Sequence, residues 1–277
     1  MLALAAVPAF LAAAGTICSQ AKKGDAPAPG PKRPATPPSA KQTVATDPTL
    51  LRPRRAYKFP VGQTYAFSGE WRIFKAGQGT LRLEREGREY HVIGTASATG
   101  AVAKLFHVQD RYESLFDPAS FCSHSTSRHT EEGLRRVETK ISFDYRHGKV
   151  VFDQQNIKKN ESKHEEHPIG KCVTDMVSAI YYVASLPLAP GGAYTFPLND
   201  GGETINVTVH VEAREKVKTP AGTFNAIRIQ PESDAGLFKK GKIWIWYSDD
   251  AVRVPVQARA HMTWGTLTLT LQRIDKK

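Results

Sequence analysis

TINVTVHVEAREKVK, residues 204–218, decides the fold class. Its first half alternates Ile205, Val207, Val209 and Val211 with Asn206, Thr208, His210 and Glu212. Successive side chains of a strand point to opposite faces, so this is a strand with one buried and one wet face. Thr266–Ile274 repeats the pattern with Leu267, Leu269 and Leu271. Ile243-Trp244-Ile245-Trp246-Tyr247 is apolar on both faces and reads as a central strand covered on each side. Further outward, the same alternation marks Thr64–Phe74, Gly79–Arg85, Glu89–Ala98, Phe106–Ser114, Leu134–Tyr145 and Lys149–Gln154. It also marks Ala193–Leu198, Thr223–Gln230 and Val252–Met262. Ala76-Gly77, Glu86-Gly87, His147-Gly148, Asn199-Asp200-Gly201-Gly202 and Pro220-Ala221-Gly222 supply the expected turns between them.

One segment breaks the period. VTDMVSAIYYVASLPLAPG, residues 173–191, places Val173, Met176, Val177, Ile180 and Ala184 at helical spacing, with Thr174 as candidate cap and Pro187 as stop. It predicts a helix over about 173–186, packed on or plugging the sheet. About twelve strands and one helix, with no linker between them, predict a mainly β single domain over residues 56–275. The architecture expected is one strongly curved antiparallel sheet or an open β-barrel.

What precedes that domain has a different composition. Residues 1–21 carry no charge, with an apolar run from Leu2 to Ile17 and a small-x-small site at Ser19-Gln20-Ala21. This predicts a signal peptide and export to the periplasm or cell envelope. Cys18 offers an acylation site, but Ile17 stands where a small residue is expected, so plain cleavage is preferred. Residues 22–55 hold 8 of the 18 prolines and read as a disordered tether, because they lack the apolar surface to offset ordering. No run reaches the roughly 18 uncharged apolar residues of a membrane-spanning helix.

The net charge of +11 divides unevenly. Eight basic residues against Asp25 and Asp47 give the tether +6, leaving +5 for the remainder. The folded part interleaves its basic residues with acids, as in LRLEREGREY (81–90), so a nucleic-acid-binding face is not expected. The tether's charge suits contact with anionic envelope surfaces.

Several blocks together resemble a known family. They are FPVGQ (59–63), RYESLFDP (111–118), residues 173–191, KTPAGTFNAIRIQP (218–231), GKIWIWYSDDAVRVPVQ (241–257) and the closing WGTLTLTL (264–271). The chain is similar across residues 57–275 to the bacterial domain-of-unknown-function family 3108. The resemblance implies an exported, β-rich, single-domain envelope protein and carries no activity or catalytic residues.

The search for chemistry is thin. Lys163-His164-Glu165-Glu166-His167 spaces its histidines by three, whereas a helical zinc site needs four, and it reads as a charged loop. His164 and His167 are the residues a metal would find, with His124, His129 and Cys122 as more remote partners; no metal and no cofactor is assigned. There is no Gly-x-Ser-x-Gly elbow and no glycine-rich phosphate loop. Asp249-Asp250 reads as a turn cap pairing with Arg253. Aromatic residues remain: Trp244, Trp246, Tyr181, Tyr182, Trp264 and Phe238 could line a concave ligand surface if the sheet curls. Core packing is the plainer use of them. The reading is a monomeric, non-enzymatic binding or assembly protein for an envelope ligand or protein partner. An envelope hydrolase acting on glycan or lipid and a pure scaffold are the alternatives. Finally, Cys122 and Cys172 are the cysteines left after cleavage. In an oxidising compartment they are expected to pair.

Overall fold

In a computed structural model of the chain, the described residues are 48–233, 235, 238, 241–263 and 265–276. The expected signal peptide, Cys18, most of the tether and Trp264 lie outside them.

Fifteen strands form one sheet. The first half is a meander of β1 (Gln63–Trp71), β2 (Phe74–Glu86), β3 (Glu89–Ala98), β4 (Val108–Phe116), β5 (Ser123–Glu132), β6 (Arg135–Asp144), β7 (Lys149–Asn156) and β8 (Glu161–Pro168). The second runs from β9 (Thr174–Asp175) through β10 (Ala193–Asp200), β11 (Glu203–Thr219), β12 (Gly222–Glu232), β13 (Gly241–Ser248) and β14 (Pro255–Met262) to β15 (Gly265–Lys276). β1 pairs with β15, so the spatial order is β8 to β1, then β15 to β9, and only β9–β10 is parallel. Ala76-Gly77, expected as a turn, lies inside β2, because the chain has already reversed between Trp71 and Phe74.

The sheet is curved and unclosed, with β8 and β9 as its edges. Curvature carries β9 to the inner face of the other half. The Ser123 N–H donates to Val173 O at 2.9 Å, and the Ser114 and Ser123 hydroxyls each donate to Asp175 Oδ2 at 2.5 Å. The expected Cys122–Cys172 disulfide crosses the same junction, with Cα atoms 5.0 Å apart. Val173 packs there against Ile141, Phe143, Val150 and Phe152 as a second small core.

Among the described residues two helices are present where one is predicted. α1 (Gly100–Leu105) lies in the β3–β4 connection. Six residues leave too few turns for a periodic stripe to show. α2 (Ser178–Ser185) is shorter than residues 173–186, because the sheet takes Thr174 and Asp175 as β9. Its cap is also different: the N–H groups of Val177 and Ser178 donate to Asp175 Oδ1 at 2.8 and 3.1 Å, and Thr174 Oγ1 has no partner. All eight residues of α2 are buried, as expected of a helix inside the curved sheet rather than on it. The main core surrounds it, from Tyr65 and Leu83 through Phe196 and Val209 to Ile245 and Tyr247.

Three further differences stand out, two of them with one cause. The stretch 163–167 is strand β8 and not a loop, Ser123–Glu132 is strand β5, and the packed chain starts before residue 56. Neither strand carries apolar alternation, so pairing to a neighbour specifies each one. At the start, Leu50 lies against the core, the Leu51 N–H donates to the Tyr182 hydroxyl at 3.1 Å, and Arg54 Nη2 donates to Asp250 O at 2.9 Å. Among the described residues no helix is long and apolar enough to cross a membrane.

Candidate functional site

The inward faces of β1–β3 and β14 are lined by small residues. Register sets Gly69 beside Gly77, Phe67 beside Gly79, Gly79 beside Ala96 and Ala258 beside Leu269. Gly79 is held to glycine by close approach, since a Cβ there would lie 2.8 Å from Thr95 O. The result is an apolar slot of about 40 Å³ between sheet and α2, lined by Phe67, Gly79, Leu81, Ile180, Ile245, Ala258 and Leu269.

The next strands turn the same interior polar. Ala96 pairs with Asp110, Asp110 with Thr130, and Tyr112 with Arg128, while Glu132 lies two residues beyond Thr130 on the same face. Asp110 Oδ1 accepts the Glu131 N–H at 3.1 Å, and the Arg128 guanidinium sits 5.8 Å above the Tyr112 ring. Three polar atoms of this wall are buried without a hydrogen-bond partner: Asp110 Oδ2, Glu132 Oε1 and Arg128 Nε. Burial pushes the Asp110 carboxyl up to about 6, against the Glu131 N–H and Arg128, which pull it down. Burial, then the charge of Asp110, pushes Glu132 up to about 7. At neutral pH the pair can therefore both donate and accept hydrogen bonds.

Nothing in the linear sequence pairs these residues, because Asp110 and Glu132 are 22 positions apart on different strands. The available signal is phase: Asp110 stands in step with Tyr112, Ser114 and Phe116, at the inward positions of β4. That Glu132 joins it depends on the β4–β5 register.

The predicted aromatic residues do not form one surface. Ile245 and Tyr247 face α2, with the Tyr247 hydroxyl donating to Ile180 O at 3.0 Å. Alternation puts Trp244 and Trp246 on the opposite face of β13. There Trp246 Nε1 donates to Glu215 Oε1 and Arg259 lies 5.6 Å over its ring. Tyr181 and Tyr182 are 2% and 1% exposed, deep in the core. The Tyr181 and Tyr57 hydroxyls are buried without partners, and burial pushes both phenols well above their usual range.

His164 and His167 point to opposite faces of β8, as an odd spacing on a strand requires. His164 Nδ1 contacts Asp153 Oδ1 at 2.6 Å, and His167 Nε2 contacts Glu165 Oε2 at 3.4 Å. His129 bonds Glu138 and Glu131, which raise its pKa; Cys122 is in the disulfide. Among the described residues no group of three His, Cys, Asp or Glu is arranged to hold a metal. Asp249 pairs with Arg253 at 2.5 Å and Asp250 caps the turn, as predicted.

A wider basin of about 960 Å³ lies over the polar positions of β11–β14, with His210, Gln230, Glu232, Lys242 and His261 in its lining. His210 Nε2 is 3.4 Å from Glu232 Oε2, and both are about half exposed. His261 Nδ1 bonds the Thr266 hydroxyl at 3.0 Å, and among the described residues no carboxylate orients its ring. Among the described residues of its lining, no nucleophile stands with a base that a third group orients.

No curated protein matches the chain by sequence. Among solved structures it is similar to a β-barrel-like protein of domain-of-unknown-function family DUF1849 from Brucella abortus. The identity is 9%, the match covers 79% of this chain and 99% of that one, and the TM-score is 0.55. More distant are a candidate lipoprotein from Parabacteroides distasonis (10% identity, 83% and 100% covered, TM-score 0.35) and a candidate exported protein with a YmcC-like fold from Bacteroides fragilis (13%, 79% and 98%, 0.33). The model of the family "protein of unknown function (DUF3108)" matches residues 64–272, nearly the whole sheet from β1 to β15, and the chain belongs to that family.

Proposed function

We propose that this chain is an exported, non-enzymatic binding protein of the cell envelope that takes a small amphipathic molecule into the concave interior of its sheet. An aliphatic end would enter the slot beside α2, and a polar or cationic end would meet Asp110, Arg128 and Glu132. The observation that carries the reading is the set of three buried polar atoms without partners on that wall. Native interiors leave few such atoms unpaired, and a ligand's polar group would complete them. The disulfide supports an oxidising compartment, and the uncharged residues 1–21 support export through a signal peptide. Residues 22–47 would then act as a tether between the sheet and the envelope.

The test is mass spectrometry of organic extracts from natively purified protein. The wild-type chain should carry a small amphipathic molecule. Its occupancy should fall at least tenfold in Asp110→Asn/Glu132→Gln, and also in Ala258→Phe, which fills the slot. Extraction of nothing, or of equal amounts from all three proteins, overturns the reading. A stoichiometric protein partner in its place would favour a scaffold, and turnover of an extracted glycan or lipid would favour a hydrolase.

A further inference from the structure

The antiparallel meander sends alternate turns to opposite ends of the sheet, and the two ends differ. One end carries the β1–β2, β3–β4, β5–β6 and β7–β8 turns. At their tips stand Ile73 (85% exposed), Phe74 (61%), Leu105 (87%), Leu134 (84%) and Ile157 (48%). These are five of the seven large apolar side chains exposed among the described residues. At the other end the turns at 87–88, 117–122 and 145–148 expose none, and the remaining two, Leu51 (48%) and Val61 (41%), lie in the segment that leads into β1 there. Strands lie about 4.8 Å apart, so tips two strands apart form a row at intervals of roughly 10 Å. Neighbouring tips are tied together. The Gly133 N–H donates to His107 O at 2.8 Å, Phe106 covers Gly133, and the Ile157 N–H donates to Arg136 O at 2.9 Å.

The same tips are cationic. Lys75, Lys104, Lys158 and Lys159 stand beside these apolar residues and make no ion pair among the described residues. By contrast, Glu131 and Glu132 at this end are engaged by Arg136 and Arg135 at 3.7 and 3.8 Å. Protruding apolar side chains flanked by unpaired lysines match the two phases of a lipid interface: acyl chains below, anionic headgroups above. A protein groove would instead be met by one contiguous patch.

We infer that this end of the sheet docks on the surface of an anionic lipid bilayer, with Ile73, Phe74, Leu105, Leu134 and Ile157 entering the headgroup layer and the lysines holding phosphates. The inference does not depend on the interior site.

It is tested by flotation of the chain from residue 22 onward, which contains every described residue and keeps the basic tether. The vesicles are phosphatidylethanolamine with 30% phosphatidylglycerol, or phosphatidylcholine alone, at low and high salt. Wild type should float with the anionic vesicles, retain part of that binding at high salt, and stay in solution with the neutral ones. Phe74→Ser/Leu105→Ser/Leu134→Ser should partition at least tenfold more weakly and lose the salt-resistant fraction. Lys104→Gln/Lys158→Gln/Lys159→Gln should weaken binding mainly at low salt. All six side chains are solvent-exposed at the tips of the sheet, so circular dichroism and Tm should match wild type in both variants. Equal flotation of wild type and the serine variant would assign binding to the tether and overturn the inference, as would a wild-type chain that stays in solution throughout.

Discussion

At the residue scale the chain depends on buried groups whose hydrogen bonds are either complete or conspicuously incomplete. Asp175 is complete: it is 4% exposed and accepts from two serine hydroxyls and two backbone N–H groups, joining β4, β5, β9 and α2. Asp175→Ala should cost about 3 kcal/mol, since it strands several buried donors. For a sheet of this size that is a fall in Tm of roughly 6–12 °C by calorimetry. Asp175→Asn, which keeps one acceptor, should lose less. Asp110 and Glu132 are incomplete, and their folded pKa values of about 6 and about 7 lie above those of an unfolded carboxylate. The folded state therefore holds these protons more tightly. The pair costs nothing below about pH 4, stability falls as pH rises toward 7, and the full penalty persists above it. Denaturant titrations of wild type and Asp110→Asn/Glu132→Gln should thus agree most closely near pH 4, and the variant should gain on wild type up to pH 8. A constant difference across that range would refute buried titration at these sites.

At the element scale the edge β9 closes the molecule, although it is two residues long. The ladder to β10 contributes little by itself; the Ser114–Ser123–Asp175 cluster, α2 and the disulfide hold it in place. Cys122 and Cys172 are 50 residues apart in sequence, so in the chain-entropy model their bridge stabilises by about 4 kcal/mol. Cys122→Ser/Cys172→Ser, or reduction of the wild type, should lower Tm by about 8–16 °C. A reduced protein that melts as the oxidised one does would show that the cluster alone carries the junction. β5 and β8 illustrate the opposite case. SHSTSRHTEE and ESKHEEHP have no apolar face to announce a strand, and each exists because a neighbouring strand offers its backbone. β5 also supplies the polar wall of the interior, so the part of the site least visible in the sequence lies on the strand least visible in it.

At the scale of the whole molecule, one sheet of fifteen strands wraps α2 without closing, and the chain enters it at residues 50–54. This divides the basic N-terminal segment into two parts with different roles. Deleting residues 22–47 should move Tm by less than about 2 °C, because that stretch has almost no large apolar side chains to dock. Deleting residues 22–55 should lower it by more than about 4 °C, because Leu50 leaves the core and the Tyr182 and Asp250 contacts are lost. Equal melting of both truncations would mean that residues 48–55 contribute nothing to the fold.

By itself the sequence determined the β class, most strand positions, the plugging helix and the pairing of Cys122 with Cys172. These follow from local period or from compartment: TINVTVHV admits one reading of its faces, and an oxidising compartment favours a bridge between the two cysteines of the folded domain. The tertiary structure alone decided which residues meet. Trp244 and Trp246 lie across the sheet from Tyr181 and Tyr182 because alternation says that two residues share a face, but not which face is inside. Asp110, Arg128 and Glu132 converge because the β4–β5 register puts them on one wall, and register between polar strands is set by backbone pairing, of which a single strand's sequence carries no trace.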